Sequence, residues 1–372
     1  MRRAATVVGL VAGMTASLAT AHAQSAFKVG VTHRTFLKDD ASYDWRGAKT
    51  HALTTTIWYP ADAQAQETAQ WVGDPENAFA TAGCAAQDAP MAKTPAKFPL
   101  VLLSHGTGGS APMMAWLGTR LAGDGYIAVA VNHPGNNAVD AYTVEGFTLG
   151  WERAVDLSRV LDGMLGDEQF ASRIDPERIG AAGFSLGGYT MMVIAGAVAR
   201  PFDLEALAKA CNAPRPTNPL CASPPEFPGL TEKALALAQR DPAYRAAIEK
   251  SAESHRDPRV RAVFAIAPVD LQLTKVSLEG IRMPVKIVVG ASDPIAPAPR
   301  NAEVLAGAIP GAKLTILPGG VAHYTFLDTC TALGRKQSPQ FCVDKPGVDR
   351  EGVHTRVARL AAGFFGRALG RE

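Results

Sequence analysis

At 372 residues, with 47% hydrophobic and 19% charged side chains, the chain suits one large domain or two medium ones and is too apolar for disorder. Its formal net charge is +2 and no basic cluster stands out, which argues against a nucleic-acid surface.

Residues 1–23 read as a secretory signal peptide: basic at Arg2 and Arg3, apolar in the middle, with Ala-His-Ala before Gln24. The apolar run falls short of the roughly 18–20 residues that a membrane span needs, and no later stretch reaches that length. The leader carries two arginines and no acidic residue, so residues 24–372 hold 35 basic and 35 acidic side chains. Secretion or a periplasmic location is the expectation, and with it disulfides among the five cysteines. Cys211 with Cys221, and Cys330 with Cys342, are the economical pairs, because each closes a short polar or Pro-rich loop. Cys84 is left over, free or able to exchange. No C-x-x-C or His-Cys cluster points to a metal.

Residues 26–36 and 51–59 read as strands that pair in a hairpin-like edge, followed by a polar, Ala-rich surface excursion over 61–97. Then come short, continuously apolar runs closed by turn residues: 98–106, 126–135, 178–185, 260–268, 285–293 and 312–320. Such runs suit strands buried on both faces. Helical segments lie between them, at 111–123, 148–166, 187–199 and 298–308. The alternation predicts a mostly parallel sheet with helices on both faces, whose chemistry sits outside the carboxyl ends of the strands. Residues 200–258 break the rhythm with many prolines, two cysteines and an Ala-rich helical piece at 231–250. They read as an insertion, and whether it is a lid or a plain surface excursion stays open.

Ser185 stands in Gly-Phe-Ser-Leu-Gly, where a buried strand turns into a helix. This G-x-S-x-G pattern is a nucleophile elbow: glycines relieve a crowded turn, and the Leu186 amide points at a developing oxyanion. A serine needs a base, and the base needs a carboxylate. In this fold the order along the chain is serine, acid, histidine. His22 leaves with the leader, His33 and His51 lie in early strand regions, and His105 and His133 precede the serine. Of the later histidines, His255 is in the insertion and His354 in a C-terminal helical stretch, so only His323 follows a strand, in "LPGGVAHYTF". Two carboxylates compete for the acid: Asp293, in "VVGASDPIAP", is favoured over Asp270, in "AIAPVD". The loop "SHGTGGS" supplies the second oxyanion donor, Thr107, with Gly108 as second choice and His105 as an orienting residue.

These segments, with "NHPGN" at 132–136 and the "C…FCVD" tail at 330–344, occur in the order found in the α/β-hydrolase superfamily. Over about residues 95–345 the chain resembles secreted bacterial predicted dienelactone hydrolases, which are similar to platelet-activating-factor acetylhydrolases. The resemblance implies a single α/β-hydrolase domain over 24–372, Ser185 as nucleophile, Asp293 as acid, His323 as base, and Thr107 and Leu186 as oxyanion donors. It implies no cofactor. True dienelactone hydrolases carry cysteine at the elbow; serine here shifts the expectation from lactone opening to carboxylic ester hydrolysis. In the acetylhydrolase relatives the acid follows an earlier strand, which keeps Asp270 in play. A phospholipid esterase, a polyester hydrolase, and a binding protein on an idle hydrolase scaffold are the alternatives.

Overall fold

A computed structural model describes residues 26–37, 52–74, 79–201, 203–213, 221, 223–224 and 226–370; the expected leader lies outside them. The strands among the described residues are β1 (Lys28–Leu37), β2 (Ala52–Ala61), β3 (Thr68–Val72), β4 (Ala80–Gln87), β5 (Phe98–Ser104), β6 (Ile127–Val131), β7 (Ile174–Phe184), β8 (Val260–Ile266), β9 (Val285–Gly290), β10 (Lys313–Leu317) and β11 (Thr329–Cys330). They form one sheet in the order β10-β9-β8-β7-β5-β6-β2-β1-β4-β11, with β3 added to β4. From β6 to β10 the pairing is parallel, while β2 runs antiparallel to both β6 and β1.

The central strands are apolar throughout because both faces are covered: all seven residues of β5 and all five of β6 are buried. Helices Ala115–Gly123 and Arg350–Ala368 pack together on one side, and Glu152–Gly166 with Leu186–Ile194 on the other. Strand β7 carries glycine toward both layers. A Cβ on Gly180 would meet Phe365 of the C-terminal helix at 2.6 Å, and one on Gly183 would meet the Gly187 carbonyl at 2.2 Å. Three residues apart on a strand, the two face opposite ways. The register sets Ser104 beside Gly183 and Gly183 beside Ala265, so the strand ends are level and their loops open on one edge.

Several expectations need correction. The 61–97 stretch is not only a surface excursion: it contributes β3 and β4, and β4 pairs parallel with β1. β1 and β2 do pair, but they lie inside the sheet, not at its edge. The reason is that strands pair through the backbone, so the small residues of β4 join the sheet without an apolar run to mark them. The helical piece at 231–250 is two helices, Leu230–Arg240 and Pro242–Glu249. Pro242 cannot continue a helix, and the Asp241 carboxylate caps the new one by accepting from the Ala243 (2.9 Å) and Tyr244 (3.3 Å) amides. The helix after Ser185 ends at Ile194, not 199.

The insertion is cross-linked within itself and tied to the rest of the fold near its C-terminal end. Cys211 and Cys221 form a disulfide, as do Cys330 and Cys342, while Cys84 is free and exposed. Thr148 shares a hydrogen bond with the Tyr244 hydroxyl (2.6 Å), and the Trp151 indole donates to the Ala247 carbonyl (3.0 Å).

Candidate active site

Strand β7 ends at Phe184, and the next residue, Ser185, adopts φ 55°, ψ −114° before the helix begins at Leu186. A non-glycine residue is strained in that conformation and persists only where its surroundings fix it. The Ser185 amide is fixed by the Ile266 carbonyl of β8 (2.9 Å). The turn has no room for side chains: a Cβ on Gly187 would lie 2.0 Å from the Ser104 carbonyl. The glycines flanking the serine are therefore required by backbone approaching backbone.

Ser185 Oγ lies 2.9 Å from His323 Nε2, and His323 Nδ1 lies 2.7 Å from Asp293 Oδ2. All three are buried. With the carboxylate accepting a hydrogen bond from Nδ1–H, Nε2 is the ring's acceptor, turned to the Ser185 hydroxyl. Asp293 does two things at once: Oδ2 holds the imidazole, while Oδ1 accepts from the Ile295 (2.9 Å) and Ala296 (2.7 Å) amides and closes its own turn. The acid loop and the histidine loop are tied together by Ser292 donating to the Val321 carbonyl (3.0 Å). Behind His323, the C-terminal helix holds the loop. His354 Nε2 donates to the Thr325 carbonyl (3.0 Å), Thr325 Oγ1 donates to Asp344 (2.6 Å), and Arg350 donates to the same carboxylate (2.8 Å).

Asp270, the competing acid, lies apart from this line. Its Oδ1 accepts from the Leu273 amide (3.2 Å), and burial raises its pKa, which opposes the carboxylate form a histidine partner needs.

The loop after β5 comes up against the serine: a Cβ on Gly106 would lie 3.3 Å from Ser185 Cβ. The amides of Thr107 and Leu186 have no acceptor among the described residues. Gly108, the second choice for the oxyanion, is committed elsewhere, since its amide donates to Asn136 Oδ1 (2.7 Å). Asn132 Oδ1 accepts from the Ala111 amide in the same way (2.7 Å). The two asparagines of "NHPGN" thus hold the loop from the neighbouring strand end, a role that the residue reading missed.

Beneath the loop lies a second polar chain. Ser104 Oγ is 2.9 Å from His133 Nε2, and His133 Nδ1 is 2.9 Å from Asp156 Oδ2. Arg153 donates to Ser104 Oγ (3.3 Å), to the His105 carbonyl and to Thr190 Oγ1 (3.2 Å) on the elbow helix. Burial pulls the Arg153 pKa down to about 9, against the attraction of Asp156. His105 is held neutral by burial, and its Nδ1–H donates to the Gly106 carbonyl (2.7 Å). No sequence motif announced this network; only the sheet and helix packing make it.

Fold and site define a member of the hydrolases built on this sheet, and the comparisons agree. Residues 100–333 match the alpha/beta hydrolase family, and the chain belongs to it. Residues 13–150 also match the family of platelet-activating factor acetylhydrolase, isoform II. Lipase 1 of Moraxella sp. (strain TA144) is 37% identical over 73 residues, a stretch that spans 20% of this chain and 20% of that lipase. A solved ferulic acid esterase from Streptomyces cinnamoneus superposes with a TM-score of 0.61 over 92% of this chain and 90% of its own, at 21% identity, a likeness of fold.

Proposed function

We propose that the protein is a carboxylic ester hydrolase that works through an acyl-enzyme on Ser185. The observation that carries this reading is His323, which reaches the serine with one nitrogen and Asp293 with the other. His323 Nε2 takes the hydroxyl proton as Ser185 Oγ attacks the ester carbonyl, and Asp293 stabilises the imidazolium. The tetrahedral oxyanion is met by the Thr107 and Leu186 amides, the latter at a helix N-terminus whose dipole favours negative charge. The imidazolium returns its proton to the leaving alcohol. Water then enters, loses its proton to the same nitrogen, and releases the acid.

The match to the acetylhydrolase family supports, within this reading, a phospholipid ester as a narrower substrate. A secreted or periplasmic location is part of the proposal, supported by the leader-like start and by two disulfides. The test is turnover of short p-nitrophenyl esters. Wild type should hydrolyse them, and Ser185→Ala should lower kcat by about 10⁴–10⁶-fold. Equal rates for the two would reject the serine mechanism, and no turnover by wild type would favour an idle scaffold.

A further inference from the structure

The insertion brings a carboxylate to the oxyanion loop. Glu226 Cγ would lie 3.3 Å from a Cβ placed on Gly108, the residue after Thr107. Its side chain is half-buried, yet no described residue pairs with its carboxylate by hydrogen bond or ion bridge. Lys233 forms no ion bridge with it: its ammonium donates to the Pro228 carbonyl (3.2 Å) and lies 4.6 Å from the Phe227 ring centre. A part-exposed carboxylate without a partner in the chain is open to a positively charged group from outside it.

Aromatic side chains cluster beside the oxyanion loop. Tyr142 donates its hydroxyl to the Gly108 carbonyl (3.2 Å), and its ring centre lies 6.3 Å from that of Phe227. Phe147 packs edge-on to both, at 4.9 and 5.1 Å. From the opposite loop comes Tyr324, edge-on to His323 at 5.5 Å. Burial first, and then the negative charges of Glu226 and Asp293, raise the Tyr324 pKa.

We propose that Glu226, at the edge of the oxyanion loop beside Tyr142, forms a subsite for a positively charged group on the ester, an ammonium a few bonds from the scissile carbonyl. The proposal rests on the ester-hydrolase reading for its place in turnover, but not for binding. A carboxylate attracts a cation and gives no such attraction to a neutral group of the same shape. Glu226 is then a specificity-determining residue; it takes no part in the proton transfers.

Two measurements test it. The first is the ratio of kcat/KM for acetylcholine to that for 3,3-dimethylbutyl acetate, its uncharged isostere, taken within each variant. At low salt the wild-type ratio should exceed unity by about tenfold, and Glu226→Gln should bring it close to unity. The second needs no turnover: tetramethylammonium chloride titrated into each protein and followed by NMR. Wild type should bind it and Glu226→Gln should bind it several-fold more weakly. Binding without ester turnover would sink the hydrolase reading and leave the subsite standing. Ester turnover with a ratio of unity in wild type, or a cation preference that survives Glu226→Gln, would overturn the subsite.

Discussion

In one line of contacts Ser185 meets His323 and His323 meets Asp293; in another Ser104 meets His133 and His133 meets Asp156. The serine–histidine distance is 2.9 Å in both, and the histidine–carboxylate distances are 2.7 and 2.9 Å. What separates them is everything around those atoms. Ser185 stands on a strained turn beside two amides that have no acceptor among the described residues. Ser104 ends a regular strand, its hydroxyl already accepting from Arg153, with 0% of the residue exposed. A nucleophile needs an approach for the electrophile and donors for the charge it creates; a serine–histidine hydrogen bond alone supplies neither. The inner set acts as a brace. Arg153 joins the oxyanion loop, through His105, to the elbow helix, through Thr190, and so fixes the distance between the two donors.

The largest contrast should come from the two acids. Asp293→Asn is expected to lower kcat by about 10⁴-fold, because an amide cannot hold the imidazole in the right tautomer. Asp270→Asn should leave kcat near wild type. Steady-state kinetics on one ester decides between them, and the reverse ranking would move the acid to Asp270.

Next in size is the brace. Arg153→Met strips a buried ionic network of its cation and should cost about 3–5 kcal/mol of stability by urea unfolding. Ser104→Ala, which leaves His133 Nε2 without its donor, should cost about 1–3 kcal/mol and keep ester turnover per folded molecule. A Ser104→Ala protein that folds but is inactive would erase the distinction between the two sets.

The smallest effect is a pH slope. Burial lowers the His354 pKa from an ordinary 6.5 to about 4. Between those values the unfolded chain binds a proton that the folded helix refuses, so this residue makes stability fall as pH drops from 6.5 toward 4. Asp328, raised by burial, has the opposite slope above its ordinary 3.8. The difference in stability between wild type and His354→Gln, measured at pH 7 and pH 4.5, isolates the histidine. The wild type should lose more on acidification, and parallel losses would refute the assignment.

Much of this was legible in the sequence because the central strands are buried on both faces. Runs such as "PLVLLS" and "IAVAV" have no other economical home, and their ends locate the loops. The elbow pattern then pointed to Ser185 and chain order to His323, with Asp293 favoured over Asp270; the structure places His323 within hydrogen-bond distance of both Ser185 and Asp293. β3 and β4 were not legible, since strand pairing uses backbone groups and these short strands of small and polar residues carry no apolar run. Nor was the brace. Arg153 and Asp156 lie on a helix where charges normally face solvent, and only tertiary packing buries them. Glu226 sits in a Pro-rich stretch without periodicity, so its arrival at the oxyanion loop had no local signal.

The central claim is that Ser185, and not Ser104, is the reactive hydroxyl. A fluorophosphonate probe followed by peptide mass spectrometry tests this directly. One adduct is expected, on the peptide carrying Ser185 and lost in Ser185→Ala; an adduct on Ser104, or none on a folded protein, would overturn the assignment.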